Sequence, residues 1–144
     1  MTPIRRTLLS AAAVVLAMPA WAADLTVRVD GLRSAKGRVV LCLWGEGRGF
    51  PDCSAGRALD VKSIPASAAA RGVTFKNVPK GRVAVSLLHD EDANGKLATN
   101  FLGIPKEGIG VSNNAAPRMS APKFGRAAFA FKSDAAIVVR MKYY

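Results

Sequence analysis

Along most of this chain apolar and polar residues take turns, a period of two that sends every second side chain to the same face of a strand. In Leu25-Thr26-Val27-Arg28-Val29 the apolar side chains share one face and Thr26 and Arg28 the other, which predicts a half-buried strand ended by Gly31. Arg38-Val39-Val40-Leu41-Cys42-Leu43-Trp44 is nearly unbroken and rich in β-branched residues, so it predicts a central strand buried on both faces. Leu59 to Ile64 alternates again and predicts a short strand, while Ala66 to Ala70 has room for a helical turn only. Val73-Thr74-Phe75 and Val83 to His89 follow, with Pro79 and Gly81 placed to punctuate a hairpin between them. Ala127 to Phe131 and Ile137 to Met141, joined by Lys132-Ser133-Asp134, complete the set.

Short strands in this number, with turn residues between them and no convincing amphipathic helix, predict an all-β fold: a single antiparallel β-sandwich of about seven strands, immunoglobulin-like in general plan. An outer-membrane barrel is the rival arrangement. Several strands run only five or so residues where a span needs about 9 to 11, and aromatics are too few for two interfacial girdles. The stretch from Asp90 to Arg126 breaks the alternation, with Gly95, Gly103, Gly108, Gly110, Gly125, Pro105, Pro117 and Pro122 in it. Connections of this length inside a compact domain are usually functional or disordered. The apolar content of this one, from Phe101 and Leu102 through Ile104, Ile109 and Val111 to Phe124, predicts that it packs over one end or face of the sandwich.

The N-terminus changes the setting. Arg5 and Arg6, an uncharged apolar run from Leu8 to Met18 and then Ala20-Trp21-Ala22 make the pattern of a secretory signal peptide, with cleavage near Ala22 or Ala23. The run is shorter than the roughly 20 residues of a membrane-spanning helix. Residues 1–22 are therefore read as a leader and 23–144 as one domain, periplasmic or secreted, with no transmembrane segment after cleavage. In such a compartment the two cysteines, Cys42 and Cys53, are expected to pair, since their spacing fits neither a redox motif nor a zinc set.

The full chain has 21 basic and ten acidic residues; without Arg5 and Arg6 the side chains carry +9. A basic surface of this kind favours acidic partners, such as phosphorylated glycolipid, anionic polysaccharide or acidic protein of the envelope. The lysines and arginines are scattered without a cluster or interleaved aromatics, so nucleic acid is not indicated.

Against that background "HDEDANG", residues 89–95, stands out: it holds the only histidine and three consecutive acids. Asp90, Asp92 and Asn94 followed by Gly95 match the first half of a calcium loop, where alternate oxygens converge on the ion and glycine permits a sharp turn. The second half does not match, with Ala98 at the ninth position and Phe101 at the twelfth, and Glu107 supplies a further oxygen only if the loop folds back. Turn chemistry explains the same residues, because Asx side chains cap their own backbone and Asn-Gly favours a tight turn. A hydrolase using His89 with Asp90 or Asp92 is a further alternative, although no nucleophile stands in a recognisable elbow. No cofactor motif is present; calcium is the one ion the pattern raises.

Three stretches, "DLTVRVDGLRSAKGRVVLCLWGEGRGFPDC", "VTFKNVPKGRVAVSLLHDEDANGKLATNFLGIPKEGIGVSNNA" and "PKFGRAAFAF", resemble the exported bacterial family known as domain of unknown function 2141. The resemblance runs in order over nearly the whole mature chain. It implies a transthyretin-like or carboxypeptidase-regulatory-like sandwich and no established activity. It picks out His89, Asp90, Glu91, Asn94, Gly95, Lys96, Leu97, Thr99, Asn100, Phe101, Gly103, Pro105, Glu107, Gly108, Ser112, Asn113 and Asn114 as the family's characteristic positions. The chain departs from the family at Ala98, where Asp is frequent, and at Asp92, where Asn is common. The expected function is a non-catalytic binding or envelope-associated structural module. Its ligand-binding candidates are His89, Asp90, Asn94, Lys96, Asn100, Glu107, Ser112, Asn113 and Asn114, and its metal candidates Asp90, Asp92 and Asn94.

Overall fold

A computed structural model describes residues 12–14, 22–96, 105–118 and 120–144. Most of the leader expected over residues 1–22 lies outside the described residues. Among the described residues eight strands form, not seven: β1 Ala22–Asp30, β2 Arg38–Trp44, β3 Asp60–Pro65, β4 Val73–Pro79, β5 Gly81–Asp90, β6 Gly108–Val111, β7 Phe129–Phe131 and β8 Ala135–Arg140. The additional strand is β6, inside the stretch whose glycines hid any alternation. A six-residue 3-10 turn at Ala66–Arg71 occupies the expected helical position.

The strands make two sheets rather than one closed barrel, in the orders β4-β1-β8 and β3-β2-β5-β6, with β7 paired to the start of β5. The apolar faces of the two sheets meet in one core. Leu25, Val27, Val29, Phe75 and Val139 from the first sheet pack with Val39, Leu41, Leu43, Val83, Val85 and Leu87 from the second. Two expectations need correcting. β4 and β5 are not a hairpin, because β4 pairs with β1 and β5 with β2; Pro79-Lys80-Gly81 is a corner where the chain crosses between sheets. The sandwich is also not wholly antiparallel, since β8 runs parallel to β1, Val27 opposite Ile137 and Val29 opposite Val139.

β2 and β5 are buried on both faces, and the reason is a second, smaller core outside the five-stranded sheet. The outward side chains fall into rows across the strands: Trp44 beside Ala84, Cys42 beside Ser86 and Val111, Val40 beside Leu88 and Ile109. The first two rows are covered by Phe50, Ala116, Phe124, Ala127 and Ala128. Trp44, Phe50 and Phe124 stack edge to face in series, with centroids 5.6 and 5.8 Å apart. The Trp44 indole N–H donates to Ser86 Oγ at 2.8 Å, and that hydroxyl donates to the Pro51 carbonyl at 3.0 Å, so neither buried polar group is wasted.

Cys42 and Cys53 are bonded, with Cα atoms 5.8 Å apart, tying the loop that carries Phe50 onto the outer face. Among the described residues no helix is long and apolar enough to cross a membrane. Replacing both cysteines (Cys42→Ala with Cys53→Ala) is expected to lower stability by about 3 kcal/mol through the released loop. Chemical denaturation of the double variant beside the parent protein measures it; equal midpoints would show that the loop is held by packing alone.

Candidate functional site

Alternation sorts the opening motif onto two faces. His89 points into the sandwich with Val85 and Leu87 and is fully buried. Its Nε2 lies 2.8 Å from the Lys36 carbonyl, which can only accept, so the ring proton sits on Nε2. Nδ1 is then the acceptor for the Tyr143 hydroxyl at 2.7 Å. Burial pushes the Tyr143 phenol above its ordinary value, which keeps that hydrogen in place. Tyr143 also takes the Arg33 backbone N–H at 3.2 Å and lies under the Arg33 guanidinium, 4.5 Å from the ring centroid.

This arrangement needs two glycines. A Cβ on Gly108 would stand 2.4 Å from the Tyr143 ring, and one on Gly37 2.1 Å from the Asp90 carbonyl oxygen, where Gly37 also has a φ of 67°. Both nitrogens of the histidine ring are engaged, neither with Asp90 nor with Asp92, and the ring touches no solvent.

Asp90 points the other way and starts the turn. Its two carboxylate oxygens accept the backbone N–H groups of Asn94 at 3.1 Å and Gly95 at 2.6 Å. Asp92 takes the side-chain amide of Asn94 at 3.0 Å, and Asn94 in turn accepts the Lys96 N–H at 2.8 Å. The loop does fold back. Glu107, buried beside β6, brings one oxygen to within 4.8 Å of oxygens from Asp90 and Asp92. Among the described residues these three carboxylates are a group close enough together to hold a cation. Glu91 faces the opposite direction, accepting Arg33 Nε at 2.7 Å, a second bond from Arg33 Nη2, and Ser34 Oγ at 3.0 Å.

The remaining candidates lie elsewhere. Ser112 is buried, accepting the Val85 N–H at 3.0 Å and donating to the Ala127 carbonyl at 2.6 Å. Asn113 donates to the Arg126 and Ala128 carbonyls, both at 3.1 Å, and Asn114 accepts the Arg140 N–H at 2.9 Å. The two asparagines adopt positive φ, 59° and 48°. All three pin strands and turns together and do not converge with the acidic turn. Asn100 lies outside the described residues.

The feature that residue-by-residue reading missed is a cleft of about 880 Å³ on the outer face of the five-stranded sheet. The third outward row, Val40, Leu88 and Ile109, is half-buried and forms its floor, beside the covered rows. Pro51, Cys53, Pro105, Val111 and Pro122 add apolar lining, and Lys96 and Arg118 bring the positive charge. The signal was present in part. Val40 stood on the outward face of a strand that had to be covered on both sides, yet nothing in the sequence said that the cover would stop short of it.

A family model described as "Uncharacterized protein conserved in bacteria (DUF2141)" matches residues 27–138. No curated protein and no solved structure matches the chain.

Hydrogen bonds from Arg33 hold the Glu91 carboxyl below its ordinary 4.5, against the opposing effect of burial and with help from Ser34. A carboxyl lowered in the folded state stabilises fully above that ordinary value, and the contribution is lost as pH falls through the folded one. Glu91→Gln is therefore expected to be less stable than the parent protein near neutrality, and the two are expected to converge only once pH has fallen below the lowered folded value. Thermal unfolding across pH checks this; a constant gap would mean that Glu91 acts through shape rather than charge.

Proposed function

The chain belongs to this bacterial DUF2141 family, and from that premise we propose that it is an exported, non-catalytic binding module whose ligand seats in the cleft over Val40, Leu88 and Ile109. One observation carries the reading: among the described residues, a strand face that elsewhere is sealed by its own chain is left open over one apolar row. A volume of about 880 Å³ falls in the range of small-molecule sites, roughly 300 to 1,000 Å³. The engagement of both His89 nitrogens supports a structural role for that residue. The disulfide and the signal-like N-terminus support delivery to the periplasm or beyond.

N-phenyl-1-naphthylamine, a neutral fluorescent probe of apolar sites, is expected to brighten on binding the protein. Leu88→Trp, which fills the floor, is expected to remove the response while the thermal midpoint stays near that of the parent protein. Val40→Trp serves as an independent block if the first variant folds poorly. An unchanged response in a folded blocked variant moves the site elsewhere.

A second reading is favoured by the return of Glu107 to Asp90 and Asp92, which gathers three carboxylates in a basic protein. In it, the turn takes calcium and is stabilised by it. The expected result is a melting midpoint raised by calcium and lowered by EDTA, with the difference abolished in Asp92→Ala. A midpoint indifferent to both additions removes this reading.

A further inference from the structure

We infer that the ligand of the cleft is a single-chain amphiphile with an anionic head, of the carboxylate class. The inference rests on the cleft being the binding site. Its floor is one row of side chains from three adjacent strands, Val40 from β2, Leu88 from β5 and Ile109 from β6. Neighbouring strands are about 4.8 Å apart, so the row runs about 10 Å across the sheet. Prolines 51, 105 and 122 line the same cleft, and proline offers no backbone N–H. A narrow aliphatic floor with proline in the walls suits a flexible hydrocarbon chain better than a polar sugar, which would need hydrogen-bond partners along its length.

The charges select the head group. Lys96 and Arg118 line the cleft and are exposed, and among the described residues neither side chain has a carboxylate within ion-pair distance. Asp52, the one acid in the lining, has its Oδ1 turned to the Ser54 N–H at 2.9 Å and the Ser54 hydroxyl at 2.6 Å, where it caps a 3-10 turn. The acids of the 90–92 turn do not line the cleft. An anion bound in the cleft therefore meets the two exposed cations of its lining, Lys96 and Arg118, with one oxygen of Asp52 engaged by Ser54, and an apolar tail removes the floor row from water.

Displacement of N-phenyl-1-naphthylamine by decanoate, decanol and decyltrimethylammonium separates the possibilities. Decanoate is expected to displace the probe at the lowest concentration. The double reversal Lys96→Glu with Arg118→Glu is expected to weaken decanoate by about tenfold, as two exposed charge pairs are lost, while leaving decanol unchanged. Both residues are exposed, so the variant is expected to melt like the parent protein. Decanol equal to decanoate, decyltrimethylammonium stronger than either, or a double reversal without effect each overturns the anionic assignment while the probe still reports the cleft. Failure of the probe itself to bind, or its persistence in Leu88→Trp, overturns the cleft reading instead.

Discussion

A β-strand with apolar side chains on both faces cannot be satisfied by a single sheet-to-sheet contact. β5 is such a strand: Val83, Val85, Leu87 and His89 look inward, and Ala84, Ser86 and Leu88 look outward. The inner set is met by the opposing sheet. The outer set has no second sheet above it, so the chain supplies a cover from three distant pieces: the disulfide-tied loop with Phe50, the residues after β6, and the helical turn at Phe124–Ala127. The disulfide, the Trp44–Ser86–Pro51 hydrogen bonds and the edge-to-face aromatic series all serve that cover. Each fixes a loop that by itself has little reason to lie flat on a sheet.

The same alternation separates two chemistries that are adjacent in sequence. His89 and Asp90 are neighbours in the chain and lie on opposite sides of the sheet. The histidine becomes part of the interior, completed by a tyrosine that arrives from the far end of the chain, while the aspartate becomes the cap of an exposed turn. The grouping that drew attention to this region is thus divided by the pleat. What remains in common is position. The turn and the cleft adjoin along the outer face of β5, since Gly95 and Lys96 of the turn line the cleft beside Leu88.

Periodicity made β1 to β5 and the last two strands legible, along with the double burial of β2, while the number and spacing of the cysteines made the pairing of Cys42 and Cys53 legible. β6 escaped because Gly108 and Gly110 carry no side chain to alternate, and their smoothness has a purpose, since Gly108 admits the Tyr143 ring and Gly110 lies against Val139. The parallel β1–β8 pair escaped because strand direction is set by the path of the chain and leaves no local trace. The return of Glu107 to the acidic turn was legible as a condition, that the loop must fold back, but its fulfilment depends on β6. Lys96 was marked from its place in a motif; its partner at the cleft, Arg118, belongs to no motif and was found only in space.

β1 is the middle strand of its sheet, flanked by β4 and by β8. It is the earliest of the described strands in the chain, yet one of its edges has no partner until β8 has been made. Local pairing can assemble β2, β3 and β5 early, whereas β1 to β8 closes a longer loop than any other described strand pair, a contact that is slow to form by its topology. A chain truncated anywhere before β8 keeps an open, apolar-backed strand edge, which is the form that proteases and aggregation select against.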